Sequence, residues 1–183
     1  MHAVAVVILV LWVAFWIYWL AAATTGVRAG RTRWGRFAGF RIAVILLILL
    51  LVRTRTIKGQ TLTSDPVLQA IGLVVFLAGL ALAIWARRYL GQNWGMPMSE
   101  KVDPELVTTG PYRRVRHPIY SGLILAMIGT AIALSWYWLL AVVLVGSYFV
   151  YSAVMEERYM AGLFPDTYPA YKRSTNMLVP FVL

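Results

Sequence analysis

Residues 116–158 read RHPIYSGLILAMIGTAIALSWYWLLAVVLVGSYFVYSAVMEER, and between His117 and Glu156 the run carries no Lys, Arg, Asp, Glu or His. A membrane-crossing helix needs about 20 apolar residues. Broken only around Ser135, the run divides into spans at 118–134 and 136–155, which makes a tight helical hairpin with both ends at one membrane face. Pro118 suits the first turn of the first arm, where a missing amide hydrogen costs nothing. That arm rises about 25 Å and the second returns about 30 Å, at 1.5 Å per residue. Packed helices lie about 8–10 Å apart. His117 and the pair Glu156-Glu157, about forty positions apart in the chain, are therefore predicted neighbours at a membrane surface.

Upstream, three further apolar stretches extend the pattern, at 3–23, 40–52 and 66–86. The second is short and works if the arginines at its ends, Arg41 and Arg53, reach to the interface. The N-terminal Met1-His2-Ala3-Val4 lacks the basic start of a secretory signal, and the apolar run after it is too long for one, so a retained span is expected. The expected fold class is all-α: an integral membrane helical bundle of about five transmembrane helices in a single domain over 1–183. Three spans (1–86) lead through a connector (87–117) to the hairpin (118–155) and a tail (156–183).

Composition and charge agree with this layout. Of 183 residues, 61% are hydrophobic and 13% charged, against about 25% charged in soluble domains. The net charge of +10 is accordingly read as belonging to a membrane protein rather than to a nucleic-acid binder. With five spans, fourteen cations share one side: Arg28, Arg31, Arg33, Arg36 and Arg41, then Arg87, Arg88, Lys101, Arg113, Arg114 and Arg116, then Arg158, Lys172 and Arg173. Only Arg53, Arg55 and Lys58 fall on the other. The positive-inside rule then puts the N-terminus outside and the tail in the cytoplasm; for a prokaryotic source the membrane is the plasma (inner) membrane. Trp136, Tyr137 and Trp138 sit at the outer turn, where an aromatic belt is expected. Trp12, Trp16 and Trp19 recur at helical spacing and are read as packing or lipid-facing side chains. Gly72 and Gly79 are expected to mark close helix packing, and Asp65, before Pro66, to cap its helix.

Six of the seven carboxylates, Glu100, Asp103, Glu105, Glu156, Glu157 and Asp166, lie on the cation-rich side. Gly110-Pro111-Tyr112-Arg113-Arg114 precedes the hairpin there, and Phe164-Pro165-Asp166-Thr167-Tyr168-Pro169-Ala170-Tyr171-Lys172 follows it. Carboxylates accept from ribose hydroxyls, arginine holds a carboxylate in a fork, and tyrosine rings face cations. The mixture suits an amphiphilic cofactor with an adenosine, a cation and a carboxylate. Each piece also has a plain alternative: the arginines as a positive-inside flank, His117 as a helix cap, and the Glu pair as solvated residues at a helix C-terminus, a position that the helix dipole disfavours. One histidine beside an acidic pair is short of a metal site. The absence of cysteine removes disulfides and thiol chemistry, and there is no P-loop, GxGxxG or GxSxG motif.

Arg116-His117-Pro118-Ile119-Tyr120-Ser121-Gly122 matches the signature RHPxYxG. Leu90-Gly91-Gln92-Asn93-Trp94 and Leu106-Val107-Thr108-Thr109-Gly110-Pro111-Tyr112 precede it, while Glu156-Glu157, Phe164, Tyr168, Tyr171 and Pro180 follow. Over roughly residues 86–181 the chain resembles the isoprenylcysteine carboxyl methyltransferase family and the related phospholipid methyltransferases. The resemblance implies S-adenosylmethionine as methyl donor, S-adenosylhomocysteine as product, and a lipophilic or lipidated acceptor entering from the bilayer, with membrane lipids as partners and no nucleic acid. It implies His117, Tyr120, Gly122, Glu156 and Glu157 as cofactor-binding residues, with Arg116, Tyr112, Tyr168 and Tyr171 as further members. His117 and Glu157 are the candidates for the catalytic centre, Glu157 for positioning the donor and His117 as either base or structural donor. Pro165 stands where the family commonly has glycine, which puts the turn before Tyr168 in question.

Two rivals remain at this level. A sterol-reductase-like membrane enzyme shares RHPxY and would use NADPH, although it resembles Arg-Asp where this chain has Glu156-Glu157. A non-catalytic lipid-binding membrane protein is the other. A channel or transporter is disfavoured, because no span carries an ionisable residue away from its interface-adjacent ends.

Overall fold

The computed structural model of the protein describes residues 2–24, 29–32, 63–94, 99–101 and 105–179. Within them five α-helices form: α1 (His2–Thr24), α2 (Pro66–Leu90), α3 (Pro118–Leu134), α4 (Trp138–Leu163) and α5 (Tyr168–Ser174). Helices α1, α2 and α4 are long and apolar enough to cross a membrane, and α3 is a shorter apolar helix of 17 residues. The expected second span, 40–52, lies outside the described residues. The chain is a helical membrane bundle with one small departure from all-α. Ala29–Thr32 (β1) pairs antiparallel with Ser99–Lys101 (β2), so these connector segments find partners for their backbone groups in each other.

Glycine decides how α2 meets α3. Gly72, Phe76, Gly79, Ala83 and Ala86 form one buried stripe on α2, and Gly122, Ala126, Gly129 and Ala133 form another on α3. A Cβ on Gly79 would stand 2.3 Å from the Ala126 nitrogen, and one on Gly129 would stand 2.3 Å from that of Phe76. The two backbones are therefore in contact. In lipid, where apolar side chains gain little by leaving their surroundings, such close approach is a main source of helix association. The expectation for Gly72 and Gly79 holds, and α3 has a matching pair.

The remaining elements lean on this core. Helix α1 buries Ile8 and Phe15, and Trp12 donates from Nε1 to Thr130 Oγ1 of α3 at 3.1 Å. Trp19 meets Trp94 edge to face, whereas Trp16 remains about half exposed. Asp65 caps α2 as expected, accepting from the Val67 amide at 2.8 Å. At the far end of α3, the Thr63 amide donates to the Leu134 carbonyl at 2.7 Å, satisfying a group that the helix leaves open.

Residues 135–137 join α3 to α4 as the tight hairpin predicted. Helix α4 corrects one expectation. It does not stop near Met155 but runs to Leu163, so Glu156 and Glu157 lie inside it and not at its C-terminus. No proline interrupts the chain until Pro165, and departure from an apolar run is no reason for a helix to end.

Candidate functional site

Arg114 to His117 and the residues after α5 form the frame of the site. The Arg116 amide donates to the Asn176 carbonyl at 2.8 Å, the His117 amide to Met177 at 3.1 Å, and the Asn176 amide to Arg114 at 3.1 Å. Val115 and Asn176 are thus paired in parallel. One turn into α3, Ser121 Oγ donates to the Leu178 carbonyl at 2.5 Å. The tail is stitched to the start of the hairpin by its backbone, and that fixes Arg116 and His117.

His117 occupies the N-cap position of α3, but its side chain makes no capping bond. Pro118 disfavours helical geometry at the preceding residue, and His117 has φ −124° and ψ 57°. Its ring turns to α4. Nδ1 lies 3.5 Å from Glu156 Oε2 and Nε2 lies 3.6 Å from Glu157 Oε1. Beneath it, the Tyr120 ring is nearly parallel at 5.5 Å between centroids and stacks in turn on Phe149 at 4.8 Å. Tyr120 donates its hydroxyl to Glu156 Oε1 at 2.5 Å.

Glu157 is the centre of the charge cluster. Arg116 Nε donates to its Oε1 at 2.6 Å, and Lys172 Nζ stands 2.7 Å from its Oε2. Arg116 Nη1 also donates to the carbonyls of Lys172 and Thr175. The side chains of Arg116 and Glu157 are 9% and 6% exposed, so this pair is shielded from water, whereas Lys172 is 52% exposed. Burial alone would depress the basicity of His117, but its contacts with Glu156 and Glu157 outweigh burial and raise the pKa above its ordinary value of 6.5. The ring therefore holds its proton more firmly than a free imidazole.

The tyrosines stand around this centre. Tyr171 donates to the Tyr112 carbonyl at 2.7 Å, and its ring meets that of Tyr168 edge to face. Burial pushes the Tyr171 phenol up to about 12, with Arg116 opposing and Glu157 adding to the rise. Tyr168 and Tyr112 are raised too, chiefly by burial. Tyr112 donates its hydroxyl to the Ala86 carbonyl of α2 at 3.4 Å. The turn containing Pro165 closes, with the Tyr168 amide donating to the Phe164 carbonyl at 2.9 Å, and Tyr168 is buried.

Of the sequence-predicted residues, Arg116, His117, Tyr120, Glu156 and Glu157 come together, with Tyr168, Tyr171 and Tyr112 around them. Gly122 does not join them. A Cβ there would stand 2.7 Å from the Ala83 nitrogen of α2, so its small size serves the helix contact. Lys172 and Phe149 join the site without a sequence signal of their own. Lys172 sits next to Tyr171 in a basic tail with no distinguishing pattern, and Phe149 lies in an unbroken apolar run.

Residues 67–167 match the family model for phospholipid methyltransferase. The match begins one helix before the signature residues, so it takes in α2. A phosphatidylethanolamine N-methyltransferase B from Dictyostelium discoideum is 32% identical over 139 residues, covering 67% of each chain. A methanethiol S-methyltransferase from Bradyrhizobium diazoefficiens is 38% identical over 82 residues, covering 45% of this chain and 28% of that protein. A nickel-cobalt-cadmium resistance protein from Alcaligenes xylosoxydans xylosoxydans is 27% identical over 143 residues, covering 76% of this chain. The chain spans 64% of the length of that last relative, just under two thirds. With its signature histidine folded onto the acidic pair, and with a model match over more than half its length, the chain belongs to the phospholipid methyltransferase family.

Proposed function

We propose that the protein transfers a methyl group from S-adenosylmethionine to a lipophilic acceptor in the membrane. The observation that carries this reading is the closure of Arg116, His117 and Tyr120 onto Glu156 and Glu157 at one end of the hairpin. The donor set fits the cofactor's charges. Two carboxylates suit an ammonium and ribose hydroxyls, and Tyr168 and Tyr171 supply aromatic surface. Lys172 is the most exposed partner of Glu157, so a ligand cation can take its place there at small cost.

The cofactor supplies a sulfonium-activated methyl group, open to in-line displacement. The residues of the chain hold and orient. Glu156 and Glu157 position the donor, Arg116 and His117 fix the carboxylates, and Tyr120 fixes Glu156. With its two ring nitrogens 3.5 Å and 3.6 Å from the carboxylates of Glu156 and Glu157, His117 is assigned to positioning and not to general base catalysis. Two of the relatives carry names that specify a thiol and an amine, which supports an acceptor of the same broad class of nucleophiles. The tail, the connector and the site are assigned to the cytoplasmic face by the distribution of cations, with the N-terminus outside.

Thermal unfolding of the detergent-purified protein tests the proposal, since a ligand at a hundred times its Kd adds about 2.7 kcal/mol to the folded state. S-adenosylhomocysteine is expected to raise Tm, NADPH to leave it unchanged, and Glu157→Ala to abolish the rise. A response to NADPH alone, or to neither ligand, overturns the methyltransferase reading.

A further inference from the structure

On the other side of the same segment lies a groove that the charge cluster does not use. It encloses about 410 Å³ between the last turns of α2 (Leu82, Trp85), the turn before α3 (Pro111 and Arg113 to Val115), the first turn of α3 (Pro118, Ser121) and Leu178 of the tail. A groove of this size is within the usual range for small-molecule sites. At about 100° per residue, Tyr120, which faces the carboxylates, is roughly 100° round from Ser121 and 200° from Pro118. The two sites therefore occupy different faces of α3.

The floor is apolar. Val115, Pro118 and Leu178 are buried, and the one hydroxyl, Ser121 Oγ, already donates to the Leu178 carbonyl. Trp85 forms a wall with 52% of its surface exposed. It stands two residues before Arg87-Arg88, where an interfacial tryptophan is expected. At the rim, Arg113 and Arg114 are both exposed. No carboxylate lines the groove, and among the described residues none pairs with either arginine. Two neighbouring arginines at the rim of an apolar groove, close to a tryptophan and an Arg-Arg pair of the kind expected at a membrane interface, match a phosphate joined to an acyl chain.

We propose that this groove binds one anionic glycerophospholipid, its phosphate between Arg113 and Arg114 and its acyl chain along Leu82, Trp85 and Leu178. Because Arg114 accepts from the Asn176 amide through its carbonyl, and Leu178 forms part of the floor, the bound lipid braces the pairing that positions Arg116 and His117. The binding is independent of methyl transfer, and its test needs no turnover.

The test uses the purified full chain in neutral detergent with dioctanoyl phosphatidylglycerol, dioctanoyl phosphatidylcholine or glycerol 3-phosphate, read by native mass spectrometry and by Tm. Phosphatidylglycerol is expected to bind at least ten-fold tighter than phosphatidylcholine and to raise Tm, and glycerol 3-phosphate to do neither. Arg113→Gln/Arg114→Gln should remove the preference, whereas Arg158→Gln/Arg173→Gln, which removes the same charge elsewhere, should retain it. Equal binding of the two lipids, equal loss in both double variants, or a glycerol 3-phosphate effect matching that of the lipid overturns the proposal. If Arg113→Gln/Arg114→Gln does not purify folded, Trp85→Ala, which keeps both cations, must weaken phosphatidylglycerol binding several-fold. Unchanged affinity there is an equally clear refutation.

Discussion

Helix α3 meets α2 and α4 by opposite means. Toward α2 it presents Gly122, Ala126, Gly129 and Ala133, and the helices touch backbone to backbone. Toward α4, at its first turn, it presents His117 and Tyr120 to a pair of carboxylates. The first contact contains nothing that titrates, depends on shape at the scale of one methyl group, and is indifferent to salt. The second depends on charge balance and has few partners to spare. A membrane bundle can thus be rigid on one side of a helix and responsive to ligand and proton on the other.

The largest effect is expected on the charged side. Glu157→Ala leaves Arg116 shielded from water without its counter-charge, and breaking a buried pair in this way costs about 3–5 kcal/mol. Chemical unfolding in detergent should show that loss, and a wild-type midpoint would mean that the cluster is not a balanced unit. On the packed side, Gly79→Leu forces a side chain into the Ala126 backbone, at an expected cost of about 1–3 kcal/mol. The same unfolding experiment checks it, and a neutral result would mean that α2 and α3 are not in backbone contact.

Proton dependence separates the two contacts further. His117 has a folded-state pKa raised above 6.5. Its contribution is therefore fully present below that unfolded value and is lost as pH rises through the higher folded value. Tm is expected to decline across this window, and His117→Gln to flatten the decline. Persistence of the full decline in the variant would assign it to another group. The smallest effect belongs to Lys172→Ala. An ion pair with a half-exposed lysine contributes about 0.2–1 kcal/mol, so stability should scarcely change. Affinity for S-adenosylhomocysteine should stay level or rise as a competing cation is removed, and a large fall would make Lys172 a ligand contact.

Much of this contrast could be read in the sequence, for particular reasons. An apolar run of known rise, bent at Ser135, places its ends side by side whatever the side-chain detail, so the meeting of His117 with Glu156 and Glu157 was predictable. Gly72 and Gly79, seven residues apart on a helix, fall on one face, and Asp65 before a proline is a local signal. What escaped is non-local or has no pattern. The extension of α4 to Leu163 has no mark in the hydropathy, because the apolar run ends before the helix does. Gly122 belongs to a motif with its neighbours in sequence but to α2 in space. Parallel pairing of 114–117 with 176–178 leaves no periodic trace, since backbone bonds are blind to side-chain identity. Lys172 could not be told from Arg173 until α5 gave each a direction.

That backbone pairing makes the site depend on residues far from the hairpin in the chain. Arg116 and His117 are set by Asn176 and Met177, and Glu157 acquires Lys172 only after a further fifteen residues of chain. While the hairpin is being synthesised, its acidic pair has no tail to meet. A chain that stopped after α4 would keep the glycine contact of α2 with α3, yet it would lack the carbonyls that hold the Arg116 and His117 amides and the lysine beside Glu157.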